Sequence, residues 1–306
     1  MKEVKMKTKP TMLEDKNIKT IDISLIYPFL FQDEDTFNYD LMVSILNNHS
    51  AAYPNEKDFA VEVSKRLIIH YRAALKTIGD TSFLRFDLTI PQKNITPEYD
   101  IEEAIKFFKD TIFNPFAKEE SFDERTFERE REYVLARMED SNNNNIYAQS
   151  FNRFIKLIDP QEEVFASIDT DLMNLKNANA KRSYQLYKEI VFNTDPLIYV
   201  FGNYEEKEIM DLLEKYFPSQ KSEKNFELKY DNIFHPSPRD YIEEHSKFNQ
   251  TVLFMLYDCQ NITPDEKEYL SLIGNILGGS ENDLIFKQLR LNNNLVYSTN
   301  VAKYIY

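Results

Sequence analysis

Residues 84–112 read LRFDLTIPQKNITPEYDIEEAIKFFKDTI, and two different periods stand side by side in this stretch. Leu84, Phe86, Leu88 and Ile90 alternate with Arg85, Asp87 and Thr89, the period of a strand with one buried face, and Pro91 stops it. Beyond it, Asp100 can accept hydrogen bonds from the free N–H groups of a helix start, and Ile101, Ile105, Phe108 and Ile112 follow at helical spacing. Asn114-Pro115 closes that helix. A half-buried strand followed by an amphipathic helix predicts helices layered on one face of a sheet.

The flanking sequence repeats the theme. Ile21 to Leu25 alternates apolar and polar, as a half-buried strand does; Asp33 to Asp35 reads as a turn-like acidic patch. Leu41, Met42, Ile45 and Leu46 mark a helix, and Phe59, Val63 and Leu67 a second one that His70 would end. A charged helix is expected over Asp123–Glu139, a polar loop over Asn142–Asn145, and further helices through Leu186. The apolar run Leu197–Phe201 suits a buried strand ending at Gly202, with an amphipathic helix over Glu205–Phe217. After a Ser-, Lys-, Asn- and Pro-rich stretch come a strand over Gln250–Leu256, helices near Glu266–Leu277 and Leu284–Leu291, and a strand over Val296–Ala302. Mixed runs of strands and helices define an α+β class with a mostly antiparallel sheet. The expected division is a first unit over 1–218, a linker over 219–238 and a second unit over 239–306.

Composition narrows the function. With 306 residues and 42% hydrophobic content the chain can bury one or two cores. Its net charge of −14, with Lys and Arg scattered among Asp and Glu, disfavours nucleic acid as a partner. No apolar stretch reaches 18 residues, so no membrane span is expected, and the charged Met1–Lys9 does not read as a secretory signal. One cysteine, Cys259, permits no intrachain disulfide and suits a reducing cytoplasm; it is read as inert beside a buried strand. Five glycines, with Gly278-Gly279 the one pair, leave no phosphate-cradling loop.

Three stretches, in order, resemble the insulinase/pitrilysin family of metallopeptidases. An aromatic helix, Asn-Pro and a Glu-Arg-rich helix appear as Phe107-Phe108, Asn114-Pro115-Phe116 and Phe127 to Leu135. A strand ending in Gly, then an acidic helix and Lys-Tyr-Phe, appear over Tyr199–Phe217. Gln250, Leu277-Gly278-Gly279, Leu289-Arg290 and Leu295-Val296-Tyr297 complete the pattern. The resemblance implies a peptidase-like half-domain followed by the start of a similar half.

Active members of that family bind zinc through His-x-x-Glu-His on an early helix, with a further Glu from the Glu-Arg helix. Anchored on Tyr53-Pro54, the ligand positions fall on Asp40, Val43 and Ser44, and the distal one on Arg137; Glu130 is retained. Val43 cannot act as a base, Ser44 is a poor zinc ligand, and Arg137 would set a cation where a dication belongs. His49, His70, His235 and His245 share no paired helical spacing. The expectation is therefore a degenerate zinc site, no metal or other cofactor, and no peptidase activity by this chain alone.

The second-half pair, Arg290 and Tyr297, stands seven residues apart. In the family such a pair reaches the substrate at the other half's zinc centre, where Arg binds a carbonyl or carboxylate and Tyr steadies an oxyanion. Retention of this pair without the zinc motif implies a partner subunit of a zinc-bearing sister (or a homo-oligomer) that helps to bind a peptide or protein. Within the family, the resemblance points to non-peptidase homologues associated with elongation factor P modification.

Blander readings stand beside these. Arg290 could be a surface ion pair and Tyr297 a packed strand aromatic. His245 beside Glu243-Glu244 reads as a solvated face, and the Glu119–Arg137 charge run as i,i+4 pairing on an exposed helix. Two rival functions also remain: an independent peptidase holding metal unconventionally through Asp40 and Glu130, or a purely structural interaction protein. An edge of the Thr81–Ile90 sheet offers a place for strand addition. The second unit, beginning near Phe226, receives only about 80 residues, so an incomplete, less stable second sheet is expected.

Overall fold

The computed structural model describes residues 9–78, 81–93, 99–160, 167–217, 241–242, 248–257, 259, 263–278 and 280–302. Its centre is a five-stranded sheet in the order β1-β7-β2-β4-β3. These strands are β1 (Thr11–Glu14), β2 (Thr20–Leu30), β3 (His70–Ile78), β4 (Thr81–Pro91) and β7 (Leu197–Gly202). All pairings are antiparallel except β1 with β7. The α+β class with a mostly antiparallel sheet is therefore the observed one. A two-stranded ribbon, β5 (Ala117–Lys118) with β6 (Ser121–Phe122), precedes the Glu-Arg-rich helix.

The alternation in Leu84–Ile90 acts as expected. Its even-numbered apolar residues are wholly buried, and β2 and β7 add Ile21, Ile23, Leu25, Ile198 and Val200 to the same core. Four helices cover that face: α1 (Thr36–Asn48), α3 (Ile101–Phe113), α7 (Ala180–Asn193) and α8 (Glu206–Tyr216). Leu41, Met42, Ile45, Ile105, Phe108, Tyr187, Val191 and Leu213 all fall at or below 1% exposure. Each such side chain contributes about 1.5–3 kcal/mol of transfer free energy, so the layer is held mainly by this interface. Asp100 caps α3 as its type suggested, accepting from Glu103 N at 3.2 Å.

α2 (Glu56–Lys65) follows α1, and α4 (Glu124–Asn144), α5 (Ile146–Ile158) and α6 (Ile168–Asn177) lie between the ribbon and α7. Beyond α8 the described elements are α9 (Pro264–Gly278), α10 (Leu284–Phe286) and a π-helical turn over Lys287–Asn292. Among the described residues, no helix is long and apolar enough to cross a membrane.

Several expectations are corrected. The Asn142–Asn145 run is not a loop: α4 continues to Asn144, and only Asn145 breaks, capping α5 by accepting from Tyr147 N at 2.9 Å. Asn is tolerated at helix ends because its amide replaces missing backbone partners. His70 does not end a helix but starts β3, since Leu67 turns the chain with φ 50 after α2. Leu197–Gly202 is buried on one face only, leaving Leu197, Tyr199 and Phe201 more than a third exposed. The Asp33–Asp35 patch is a single 3-10 turn.

Neither Gln250–Leu256 nor the described Val296–Ala302 is a strand. A strand needs a ladder of hydrogen bonds to a neighbour, and the described residues give neither segment one; Val301 N donates to Gly278 O at 2.9 Å. Phe254 instead packs on the aromatic face of α5, with ring centroids 5.2 Å from Tyr147 and Phe154. Cys259 is exposed and does not follow a buried strand. The Glu-Arg run pairs at i,i+3 (Arg131–Glu128, 2.5 Å) and reaches the Ala178 carbonyl, rather than forming i,i+4 rungs. The linker over 219–238, and also Phe226, His235, Glu243 to His245 and Gly279, lie outside the described residues.

Candidate functional site: the crossing of two helices

α1 and α4 cross beside the sheet, bringing the expected ligand positions together with the Glu-Arg helix. Ser44 Oγ donates to Glu130 Oε2 at 2.8 Å. Asp40, Val43 and Ser44 share one face of α1 by helical spacing. Among the described residues no group of three or more His, Cys, Asp or Glu side chains could hold a metal ion. Asp40 reaches solvent, yet surrounding protein raises its carboxyl above the usual range by partial burial; its exposed side chain limits that effect. Arg137 is also exposed, two turns beyond Glu130 on α4.

The cation at the crossing is Arg129, whose role the sequence did not announce. Its Nη2 donates to Glu130 Oε1 at 3.0 Å and lies 3.3 Å from His49 Nε2. His49 ends α1 and is buried, with its ring 6.3 Å from Phe116. Its Nδ1 stands 2.8 Å from the Pro54 carbonyl, which can only accept, so Nδ1 carries the proton. A guanidinium can only donate, so Nε2 is the atom that faces Arg129 as acceptor. The Tyr53-Pro54 dipeptide thus orients a histidine through a main-chain oxygen, a signal invisible in residue spacing.

A neighbouring contact closes the sheet edge. β4 lies inside the sheet, so the edge nearest it is β3. There Asn47 accepts from Ala73 N at 2.7 Å and donates to Ala73 O at 2.9 Å, the two bonds an added strand would make at that residue. Asp35, Asn38 and Arg182 form a second tie missed by the sequence reading: Arg182 Nε donates to Asp35 Oδ2 at 2.9 Å, and Asn38 Nδ2 to Asp35 Oδ1 at 2.8 Å. It locks α7 to the start of α1.

Arg290 and Tyr297 also meet. The π-helical turn ends at Asn292; two residues on, Asn294 with φ 55 reverses the chain, and Leu295 N donates back to Leu289 O at 2.8 Å. Asn is one of the few residue types that enters this left-handed region cheaply. The reversal sets the Arg290 guanidinium 4.9 Å from the centre of the Tyr297 ring, while Arg290 Nη1 donates to Asn294 Oδ1 at 3.0 Å. Tyr297 is 79% exposed and so is not a packed core aromatic.

The mostly antiparallel sheet with helices on one face is similar in fold to a solved M16 peptidase-like domain. Residues 177–306 match the family model described as the Peptidase M16 inactive domain. A conserved protein from Enterococcus faecalis V583 is similar over 94% of this chain and 68% of its own, at TM-score 0.68 and 16% identity. A protease from Helicobacter pylori is similar over 95% and 68%, at TM-score 0.61 and 14% identity. The peptidase M16 inactive domain from Pseudomonas fluorescens is similar over 95% and 69%, at TM-score 0.58 and 14% identity. At such identities the likeness shows the fold. No curated protein matches the chain.

Proposed function

We propose that this chain is a non-catalytic homologue of M16 metallopeptidases that works as a partner subunit of a zinc-bearing sister and helps to hold a peptide or protein substrate. The observation that carries the reading is the α1–α4 crossing. Ser44 occupies a ligand position by hydrogen-bonding Glu130, and Arg129 supplies the positive charge that a metal would bring. The inactive-domain match over 177–306 supports the same reading. Arg290, partly buried, and Tyr297, exposed and stacked with it, are the substrate-facing pair in this proposal. Asn47 disfavours strand addition at Ala73, so capture rests on that pair rather than on the β3 edge.

The finer reading is a cytoplasmic role in elongation factor P modification, from resemblance to the non-peptidase homologue called YfmF. Co-expression with a homologue carrying His-x-x-Glu-His tests the partner role. A stable complex is expected on gel filtration, with peptide cleavage that falls at least tenfold in Arg290→Ala and Tyr297→Phe. No complex would defeat the partner role. A complex whose activity ignores both substitutions favours a purely structural subunit, and zinc-dependent cleavage by this chain alone favours an independent peptidase.

A further inference from the structure

We propose that the cavity beside the α1–α4 crossing binds a carboxylate of a peptide, at its C-terminus or on an Asp or Glu side chain, between the Arg129 guanidinium and the Lys57 ammonium. This deepens the peptide-holding part of the proposed function and rests on it. The cavity measures ≈ 670 Å³ and is lined by His49, Glu56, Lys57, Ala60 and Arg129 among others. Ordinary ligand clefts span roughly 300–1,000 Å³, so the space suits an amino-acid residue rather than a lone ion. The chain is acidic overall, at −14, yet the charged side chains of this lining are two cations and one carboxylate, Glu56. That single positive excess matches a monoanion. A phosphate dianion would exceed it and be repelled by Glu56.

The Arg129 guanidinium is held from behind. Both of its contacts use Nη2, which donates to Glu130 Oε1 at 3.0 Å and lies 3.3 Å from His49 Nε2. Each of those acceptors is itself fixed: His49 by the Pro54 carbonyl and Glu130 by Ser44. Among the described residues no contact uses Arg129 Nε or Nη1, so their hydrogens are left to donate to a ligand. Hydrogen bonds between a guanidinium and a carboxylate are charge-assisted and about twice as strong as neutral ones. Lys57 supplies the second cation. It is exposed in the first turn of α2, and among the described residues no ion pair holds its ammonium. The helix start itself adds little, because the Asn55 side chain already accepts from Lys57 N and Asp58 N. Pro54 and Ala60 give the lining an apolar wall for the hydrocarbon of the bound residue.

The test is a ¹H–¹⁵N NMR titration of the intact chain at low salt. The probes are a Gly-Ser hexapeptide with a free C-terminal carboxylate, its C-terminal amide, the amide with one internal Glu, and inorganic phosphate. The free-acid peptide should shift the Lys57 amide and the Arg129 Nε–H, and the amide should bind about fivefold more weakly or worse. Binding regained by the internal Glu assigns the site to acidic side chains, and binding not regained assigns it to C-termini; either supports it. Lys57→Met should weaken binding about threefold or more, and Glu56→Gln should tighten it about twofold. Arg129→Met should weaken it further, and the Lys57 and Glu56 arms stand even if that variant fails to fold. Equal binding of acid and amide would overturn the proposal. So would phosphate binding as tight as that of the acid peptide, or an affinity unchanged in both Lys57→Met and Glu56→Gln. Such a result leaves the partner-subunit reading standing if the complex with the zinc-bearing sister forms. A missing complex beside intact carboxylate binding would defeat the partner role but not the site.

Discussion

Asn47→Ala should weaken the fold and open the β3 edge. The Asn47 amide makes two hydrogen bonds to the main chain of Ala73, at 2.7 and 2.9 Å, and Ala73 is 1% exposed. Removing the amide strands one N–H and one C=O that lie almost wholly out of water. Each unsatisfied buried group costs about 1–3 kcal/mol. Asn47 itself is only half-buried, so water can partly follow, and the low end of that range applies: about 2 kcal/mol for the pair. Alanine's better helix propensity returns about 0.6 kcal/mol at most. A net loss of about 1.5 kcal/mol remains, close to a tenfold fall in the folded-to-unfolded ratio. Urea unfolding followed by circular dichroism measures it, and exchange of the Ala73 amide localises it. Asn48→Ala is the control, because the Asn48 side chain donates to Ser44 O within the same helix at 3.2 Å. If the two variants unfold within 0.5 kcal/mol of one another, and Ala73 exchange is unchanged, the edge-closing role is wrong.

Three further outcomes are expected. Arg182→Ala leaves the buried Asp35 carboxylate without its guanidinium and should cost about 3 kcal/mol or more in denaturant unfolding, with Arg182→Lys rescuing poorly because lysine lacks the planar fork. Gly202→Ala should destabilise by about 2–3 kcal/mol or yield insoluble protein, since the residue has φ 130 and an added Cβ would lie 2.2 Å from Thr20 O. The Glu62 carboxyl is held down at about 2 by hydrogen bonds from Lys65 and then Arg66. A depressed carboxyl stabilises the fold above its unfolded value, about 4.3, and that support fades as pH falls toward 2; Glu62→Gln should flatten this part of an acid-unfolding curve.

Secondary structure was legible where one face of an element is buried. Leu84–Ile90 and Ile101–Ile112 announce their elements because the sheet–helix interface demands apolar residues at periods of two and 3.6. Gln250–Leu256 has the composition of a strand, but pairing is a property of two segments, and no described partner reaches it. The apolar run Leu197–Phe201 hid a one-sided strand because Leu197, Tyr199 and Phe201 line the face that the helices leave open.

The sequence by itself determined the helix-on-sheet class and the seven-residue spacing of Arg290 and Tyr297, because both follow from residue type at a fixed separation, whereas the positions Asp40, Val43, Ser44 and Arg137 are what the family resemblance implies. Only the tertiary structure decided that Ser44 bonds Glu130, that Arg129 rather than Arg137 brings the cation to the α1–α4 crossing, and that Asn47 closes the β3 edge. Those contacts join residues 26 to 86 positions apart in the chain. Their distances depend on how packed helices cross, which no local pattern encodes.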